Sequence, residues 1–249
     1  MHGNYFTNHA WKKLLSFFKT ETKIYKSKHS KLKVFMNAIY WMLRTEAQWR
    51  ELPAKFGNWN SVFKRFASWA KKGVWSRLLT FVQQEPDLES VMIDSTIVRS
   101  HASAAGYRNQ EEQGFGRSKG GFTTKIHAVV DALGYLLKFQ ITGGNRNDIT
   151  QAEALLNSYS NSNVIADKGY DADSLRNSAY SRQCDVVIPP RSNRNTQYPY
   201  DKFLYKERHL IENFFSKIKY FRRIFSRFEK SLLGFESFIN FAGTVLWLR

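Results

Sequence analysis

The chain has 249 residues, 43% of them hydrophobic, which is enough apolar material for one large domain or two smaller ones. Its net charge of +17 points to polyanionic partners, most often nucleic acid, with an acidic membrane surface as the weaker competitor. A single cysteine, Cys184, excludes an internal disulfide, and no stretch approaches the roughly 20 apolar residues of a membrane span.

The charge is uneven. Residues 1–85 hold 16 Lys and Arg against 4 Asp and Glu, a net of +12, while residues 86–249 hold 22 against 17, a net of +5. The first residues lack the apolar run of a signal peptide, so a reducing cytosol is the expected home. Residues 8–85 read as helices. Trp11, Leu14, Leu15 and Phe18 fall at helical spacing, and Leu32, Phe35, Met36, Ile39, Tyr40 and Leu43 give a second apolar face. Pro53 and Gly57 punctuate a loop. Ser61 is the expected cap of a third helix, lined by Val62, Phe63, Phe66 and Trp69, and Gly73 separates it from a fourth over 74–82. Six of the seven tryptophans lie in this part, and the aromatic stripe reads as core rather than as a base-stacking surface. A compact basic helical unit suits either a helix-turn-helix-like DNA reader or a dimerisation unit. Pro86-Asp87 marks the boundary, giving a basic helical domain over 1–86 and a second domain over 87–249.

The second part opens with Val91–Val98, a short apolar, β-branched run with Asp94 at its centre, which reads as a strand buried on both faces. A carboxylate there is costly unless a metal ion, a base or a hydrogen-bond cluster offsets its desolvation. Residues 99–122 read as an exposed glycine-rich loop carrying Arg108, Arg117 and Lys119, either a basic loop near nucleic acid or a plain linker. Residues 123–131 and 135–142 read as strands joined by the tight turn at Ala132-Leu133-Gly134. Asp148 is placed as the cap of a helix to about residue 159. Residues 163–167 form a short strand ending in Asp167, followed by a helix to about 182 and a strand over 185–188. A polar basic loop over 191–200 leads to a long helix over 202–228 and a last helix over 232–248. The order β-β-β-α-β-α-β-α gives an α/β fold, a mixed sheet with flanking helices.

If strands one and four are neighbours, Asp94 and Asp167 lie side by side, and a helix across them delivers Glu212. Three converging carboxylates repel one another and call for divalent cations. On the long helix Tyr205, Arg208, Glu212 and Lys219 fall within a sector of about 60° at 100° per residue, although an ordinary Arg208–Glu212 surface pair at i,i+4 would give the same pattern. Asp131, Asp171, Asp173 and Asp185 read as turn or cap residues, and His101, His127 and His209 lack zinc-ligand spacing.

The pattern Tyr205-x2-Arg208-x3-Glu212-x6-Lys219 resembles the signature of bacterial insertion-sequence transposases of the DDE superfamily, of the insertion sequence 5 and related 4 type. Ile93-Asp94-Ser95-Thr96, the run from Gly116 to His127, Ala166-Asp167-Lys168-Gly169-Tyr170-Asp171, and the stretch from Leu43 to Trp75 are similar to the same families. The resemblance implies a ribonuclease H-like catalytic domain preceded by a small all-α domain. It implies Asp94, Asp167 and Glu212 as catalytic metal ligands for two Mg²⁺ ions, with Mn²⁺ able to substitute. Tyr205, Arg208, Lys219, Arg117 and Lys119 are the phosphate-contacting candidates. The implied partner is double-stranded DNA, as terminal inverted repeats and target, bound by a homodimer assembled on DNA, in the bacterial cytoplasm beside the nucleoid and not at a membrane. The implied activity is cleavage and strand transfer of element ends. A stand-alone metal-dependent nuclease of the same fold and a catalytically inactive DNA-binding descendant are the alternatives.

Overall fold

A computed structural model describes residues 5–24, 28–104, 109–118 and 121–249. The chain divides into two compact units: a helical one of 1–84 with 218–249, and a sheet-containing one of 85–217. The division does not follow the chain. The sequence alone places everything after residue 86 in one domain, whereas residues 218–249 pack with the N-terminal helices.

The helical unit begins with α1 (Asn8–Thr20), whose first turn is capped by Thr7, and α2 (His29–Arg44). The third helix, α3 (Trp59–Lys71), is capped by Asn58 rather than by the expected Ser61: the Asn58 Oδ1 accepts from the amides of Asn60 and Ser61 at 3.0 and 3.3 Å. Ser61 lies inside the first turn, where its own amide needs the acceptor that Asn58 supplies. Gly73 takes φ 66°, a left-handed conformation that separates α3 from α4 (Val74–Val82).

The sheet unit carries β1 (Ser90–Ser100), β2 (Gly116–Ser118), β3 (Gly121–Val130), β4 (Leu136–Gly143), α5 (Ile149–Leu156), β5 (Asn163–Ile165), α6 (Asp173–Ser181) and β6 (Asp185–Val187). The short β2 falls inside the stretch expected to be loop, where it pairs with β3. The expected single helix over 202–228 is broken. Leu204–Arg208 forms a 3₁₀ turn, α7 spans His209–Lys219, and a turn at Tyr220 leads to the four-residue α8 (Arg222–Phe225). The last helix is α9 (Leu232–Trp247).

In the helical unit α9 completes the core. It is apolar nearly all round, so a single protein face cannot cover it. Phe238 stacks on Phe66 at 4.6 Å, and Phe241 meets Trp75 at 5.4 Å. Trp69 and Trp75 are buried, and the Trp75 indole donates to the Phe66 carbonyl at 3.3 Å. Arg223 is buried as well, and donates to Glu229 and to the Ala47 carbonyl, each at 2.7 Å.

In the sheet unit the strand order is β2-β3-β1-β5-β6, with β4 also on β3. β1 runs antiparallel to β3 and parallel to β5, and β5 parallel to β6, so the sheet is mixed. Val91 and Ile93 of β1, Val164 of β5 and Val186 of β6 pack with Leu155 of α5 and with Leu175 and Ala179 of α6. Among the described residues no helix is long and apolar enough to cross a membrane.

Candidate active site

The register of β1 on β5 positions two of the acids. Val91 pairs with Val164 and Met92 with Ile165. Two residues beyond Met92 along β1 stands Asp94, and two residues beyond Ile165, just past the end of β5, stands Asp167, so the pairing brings the two acids to the same end of β5, near enough for the charge of Asp167 to act on Asp94. Each is fixed by a backbone amide of the next few residues. The Asp94 Oδ1 accepts from the Ser95 amide at 2.7 Å, and the Asp167 Oδ1 from the Gly169 amide at 2.8 Å. Burial pushes the Asp94 carboxyl up to about 6, and the charges of Asp167 and Asp148 add to that rise. The Ser95 amide and Arg208 pull the other way.

Glu212 stands in the first turn of α7 and is exposed. Arg208 links it to Asp94. Its Nη1 donates to the Asp94 Oδ2 at 3.1 Å, and its Nη2 forms an ion pair with Glu212. Burial opposes the charge on Arg208, but Glu212, Asp94, Tyr205 and Asp167 outweigh it and raise the guanidinium above its usual range. Tyr205 belongs to the same group. Burial lifts its phenol, with Arg208 lowering and Asp167 raising it, and its ring meets Tyr200 edge-on at 5.5 Å. Tyr205 and Arg208 sit in the 3₁₀ turn rather than on the α-helix, so their common sector with Glu212 does not come from one continuous helical face. Among the described residues no three His, Cys, Asp or Glu side chains converge tightly enough to hold a metal ion. Arg208 stands between Asp94 and Glu212.

The structure places Asp94, Asp167, Glu212 and Tyr205 around Arg208, without closing the three acids on one another. Lys219 closes α7 and packs with the helical unit, where burial lowers its ammonium. Arg117 is exposed on β2, opposite Phe122 of β3, whereas Asp94 lies opposite Ala128, roughly 20 Å further along that strand at 3.4 Å per residue. Lys119 lies outside the described residues.

One acid of the site is missed by sequence reasoning. Asp148 occupies the cap position of α5 but makes no capping hydrogen bond. It accepts instead from the Ser95 hydroxyl and from the Lys125 ammonium, each at 2.8 Å, and its Oδ1 lies 3.7 Å from the His127 Nδ1. His127 is fully buried, and burial pushes it down to about 4, so it is neutral near pH 7. Its Nε2 meets the Thr142 hydroxyl at 2.8 Å. Tyr170 is buried within reach of the same acids. Burial, then Asp94, Asp148 and Asp167, raise its phenol, so it stays protonated.

Asp171 is not a simple turn residue either. It is buried and accepts from Arg176 and from the Arg191 amide at 2.8 Å, and from Arg194 at 3.2 Å. Burial would raise its carboxyl, but these donors hold it below the usual range. The cluster ties the loop after β6 to α6.

Residues 85–248 match the family model described as "Transposase DDE domain", and residues 6–79 match one described as "Putative transposase of IS4/5 family". A protein of Brucella ovis described as "Putative transposase for insertion sequence element IS6501" is 44% identical over 129 residues, which are 51% of this chain and 99% of that protein. An uncharacterised protein of Sinorhizobium fredii is 37% identical over 111 residues, 45% of this chain and 82% of that one. Among solved structures, a piggyBac transposase synaptic complex with hairpin DNA is similar at a TM-score of 0.42 and 12% identity, over 75% of this chain and 48% of that one.

Proposed function

The chain belongs to the Transposase DDE domain family, and from that premise we propose that it cuts double-stranded DNA at the ends of an insertion element and joins those ends to a target. Asp94, Asp167 and Glu212 are the proposed catalytic carboxylates, on a sheet of ribonuclease H-like type. The observation that carries this function is the parallel pairing of β1 with β5, which supports Asp94 and Asp167 as neighbours at the end of β5.

The donor chemistry fits a divalent cation. All three candidates are hard carboxylate oxygens, burial together with the charges of Asp167 and Asp148 raises Asp94, and a cationic group already lies between Asp94 and Glu212. Bound in a pair, Mg²⁺ or Mn²⁺ would supply activation of the attacking oxygen and stabilisation of the leaving one. Asp94, Asp167 and Glu212 would hold them. The amides of Ser95 and Gly169 orient two of the three carboxylates, leaving rotation of neither to chance. Tyr205, Arg208 and Lys219 are the proposed phosphate contacts, with Arg117 and Lys119 further along the DNA. The basic segment 1–86 supplies sequence-independent affinity for the duplex, on which two copies assemble. The proposed place of action is the cytoplasm, beside the nucleoid.

The test is an in vitro reaction with a plasmid carrying the element's two ends and Mg²⁺. End cleavage followed by joining is expected, and lost in Asp94→Asn, Asp167→Asn and Glu212→Gln proteins that still bind DNA. Cutting with no joining at any time point would reassign the chain as a nuclease, and a triad variant cutting at the wild-type rate would remove that residue from the site.

A further inference from the structure

Arg208 is placed to do more than contact DNA. Its guanidinium is forked between β1 and α7, one prong on the Asp94 Oδ2 at 3.1 Å and the other on Glu212. A divalent cation held by the same oxygens would bring a second positive charge beside the guanidinium, and two like charges in one site disfavour each other. The fork and the cation therefore compete for one set of lone pairs.

The side chain has a way out. Arg208 is the last residue of the 3₁₀ turn Leu204–Arg208, at its junction with α7. Its long side chain is half-buried rather than enclosed, so rotation about its own torsions can carry the guanidinium away from the acids. A planar fork that fits a carboxylate fits a phosphate equally well, so a DNA phosphate is the natural second partner. Arg208 differs in this from Arg176, which is buried and held by both Asp171 and the Ile188 carbonyl and so has no comparable freedom.

We propose that Arg208 is a built-in counter-cation of the acid site, which competes with the divalent ion for Asp94 and Glu212 and yields those oxygens when a DNA phosphate takes the guanidinium. This rests on the metal-site reading given above. Metal loading is then coupled to DNA binding. By linkage, DNA raises metal affinity by the same factor as metal raises DNA affinity. The device would keep a protein that is not on DNA from carrying a fully loaded nuclease centre.

The experiment measures Mn²⁺ binding by electron paramagnetic resonance, with no turnover required, for wild type, Arg208→Gln and Arg208→Lys, with and without a short duplex oligonucleotide. Without DNA, Arg208→Gln should bind Mn²⁺ about tenfold more tightly than wild type, the order expected from losing one charge-assisted competitor. Arg208→Lys should fall between them, because one ammonium cannot span both carboxylates. The duplex should tighten Mn²⁺ binding in wild type more than in Arg208→Gln. Equal or weaker Mn²⁺ binding by Arg208→Gln without DNA overturns the competition while leaving the metal site standing. If Arg208→Gln fails to fold by circular dichroism, the Lys variant decides, and equality with wild type overturns the proposal. No Mn²⁺ bound by any of the three, with or without DNA, defeats the underlying metal site and the proposal with it.

Discussion

The Ser95 hydroxyl donates to the Asp148 carboxylate at 2.8 Å, joining the residue after Asp94 to the start of α5 across 53 positions of sequence. Ser95 lies opposite His127 in the β1–β3 ladder and Ile97 opposite Lys125, so Asp148 gathers groups from two strands and one helix end.

The first prediction follows from that gathering. The charge of Asp148 helps raise Asp94, so Asp148→Asn should lower the Asp94 pKa while keeping an acceptor for Ser95. Carboxyl-carbon NMR titration of the metal-free protein reads this directly, and an unmoved Asp94 would mean the two charges are screened from each other. Asp148→Ala should in addition cost about 1–3 kcal/mol in urea unfolding, because it leaves the nearly buried Lys125 without its carboxylate.

The raised Asp94 carboxyl sets a pH dependence. Its folded value of about 6 lies above the unfolded value of about 3.9. The folded state therefore binds the proton more tightly, and the resulting stabilisation is fully present below pH 4 and lost as pH rises through 6. In the absence of divalent ions, Asp94→Asn should gain on wild type by about 1–3 kcal/mol between pH 4 and pH 7. Parallel stability curves for the two proteins over that window would contradict the burial of this charge.

Gly169 tests the orientation of Asp167. A Cβ at position 169 would lie 2.8 Å from the Asp167 Oδ1, closer than side chains tolerate. The carboxylate must then turn or shift. Gly169→Ala should slow DNA cleavage by about 10²-fold, the order associated with a 1 Å misplacement, while thermal stability changes little. Full activity in Gly169→Ala would show that Asp167 can move freely and still serve.

Asp171 separates scaffold from site. Asp171→Ala leaves Arg176, 1% exposed, without its carboxylate, and should cost about 3–5 kcal/mol. Asp173→Ala, whose carboxylate is exposed, should change stability by about 0.5 kcal/mol or less. Chemical denaturation of the two variants makes the comparison, and equal effects would place the anchor elsewhere.

Features that depend on near neighbours are legible in the amino-acid order alone. The β-branched run around Asp94 specifies a strand because such side chains fit a pleated sheet, although only Val91–Ile93 is buried on both faces while Asp94–Thr96 is half-buried and Ile97 exposed, and Asp167 stands where an apolar run gives way to Lys168 and Gly169. The helices of the basic N-terminal part follow from apolar spacing in the same way. The remainder depends on contacts between segments far apart in the chain. Asp148 has the sequence of a helix cap, and only the β1–β3 register, which sets Ser95 opposite His127 beside it, turns it toward the site. The Tyr205–Arg208–Glu212 spacing is legible, but not that a 3₁₀ turn precedes α7 or that Arg208 bridges two acids from distant positions. Nor does periodicity say that α9, apolar over most of its circumference, packs with Phe66 and Trp75. Local sequence fixes backbone geometry and which face is apolar, whereas the partner each face or carboxylate meets is set by long-range strand pairing and packing, to which neighbouring residues contribute no signal.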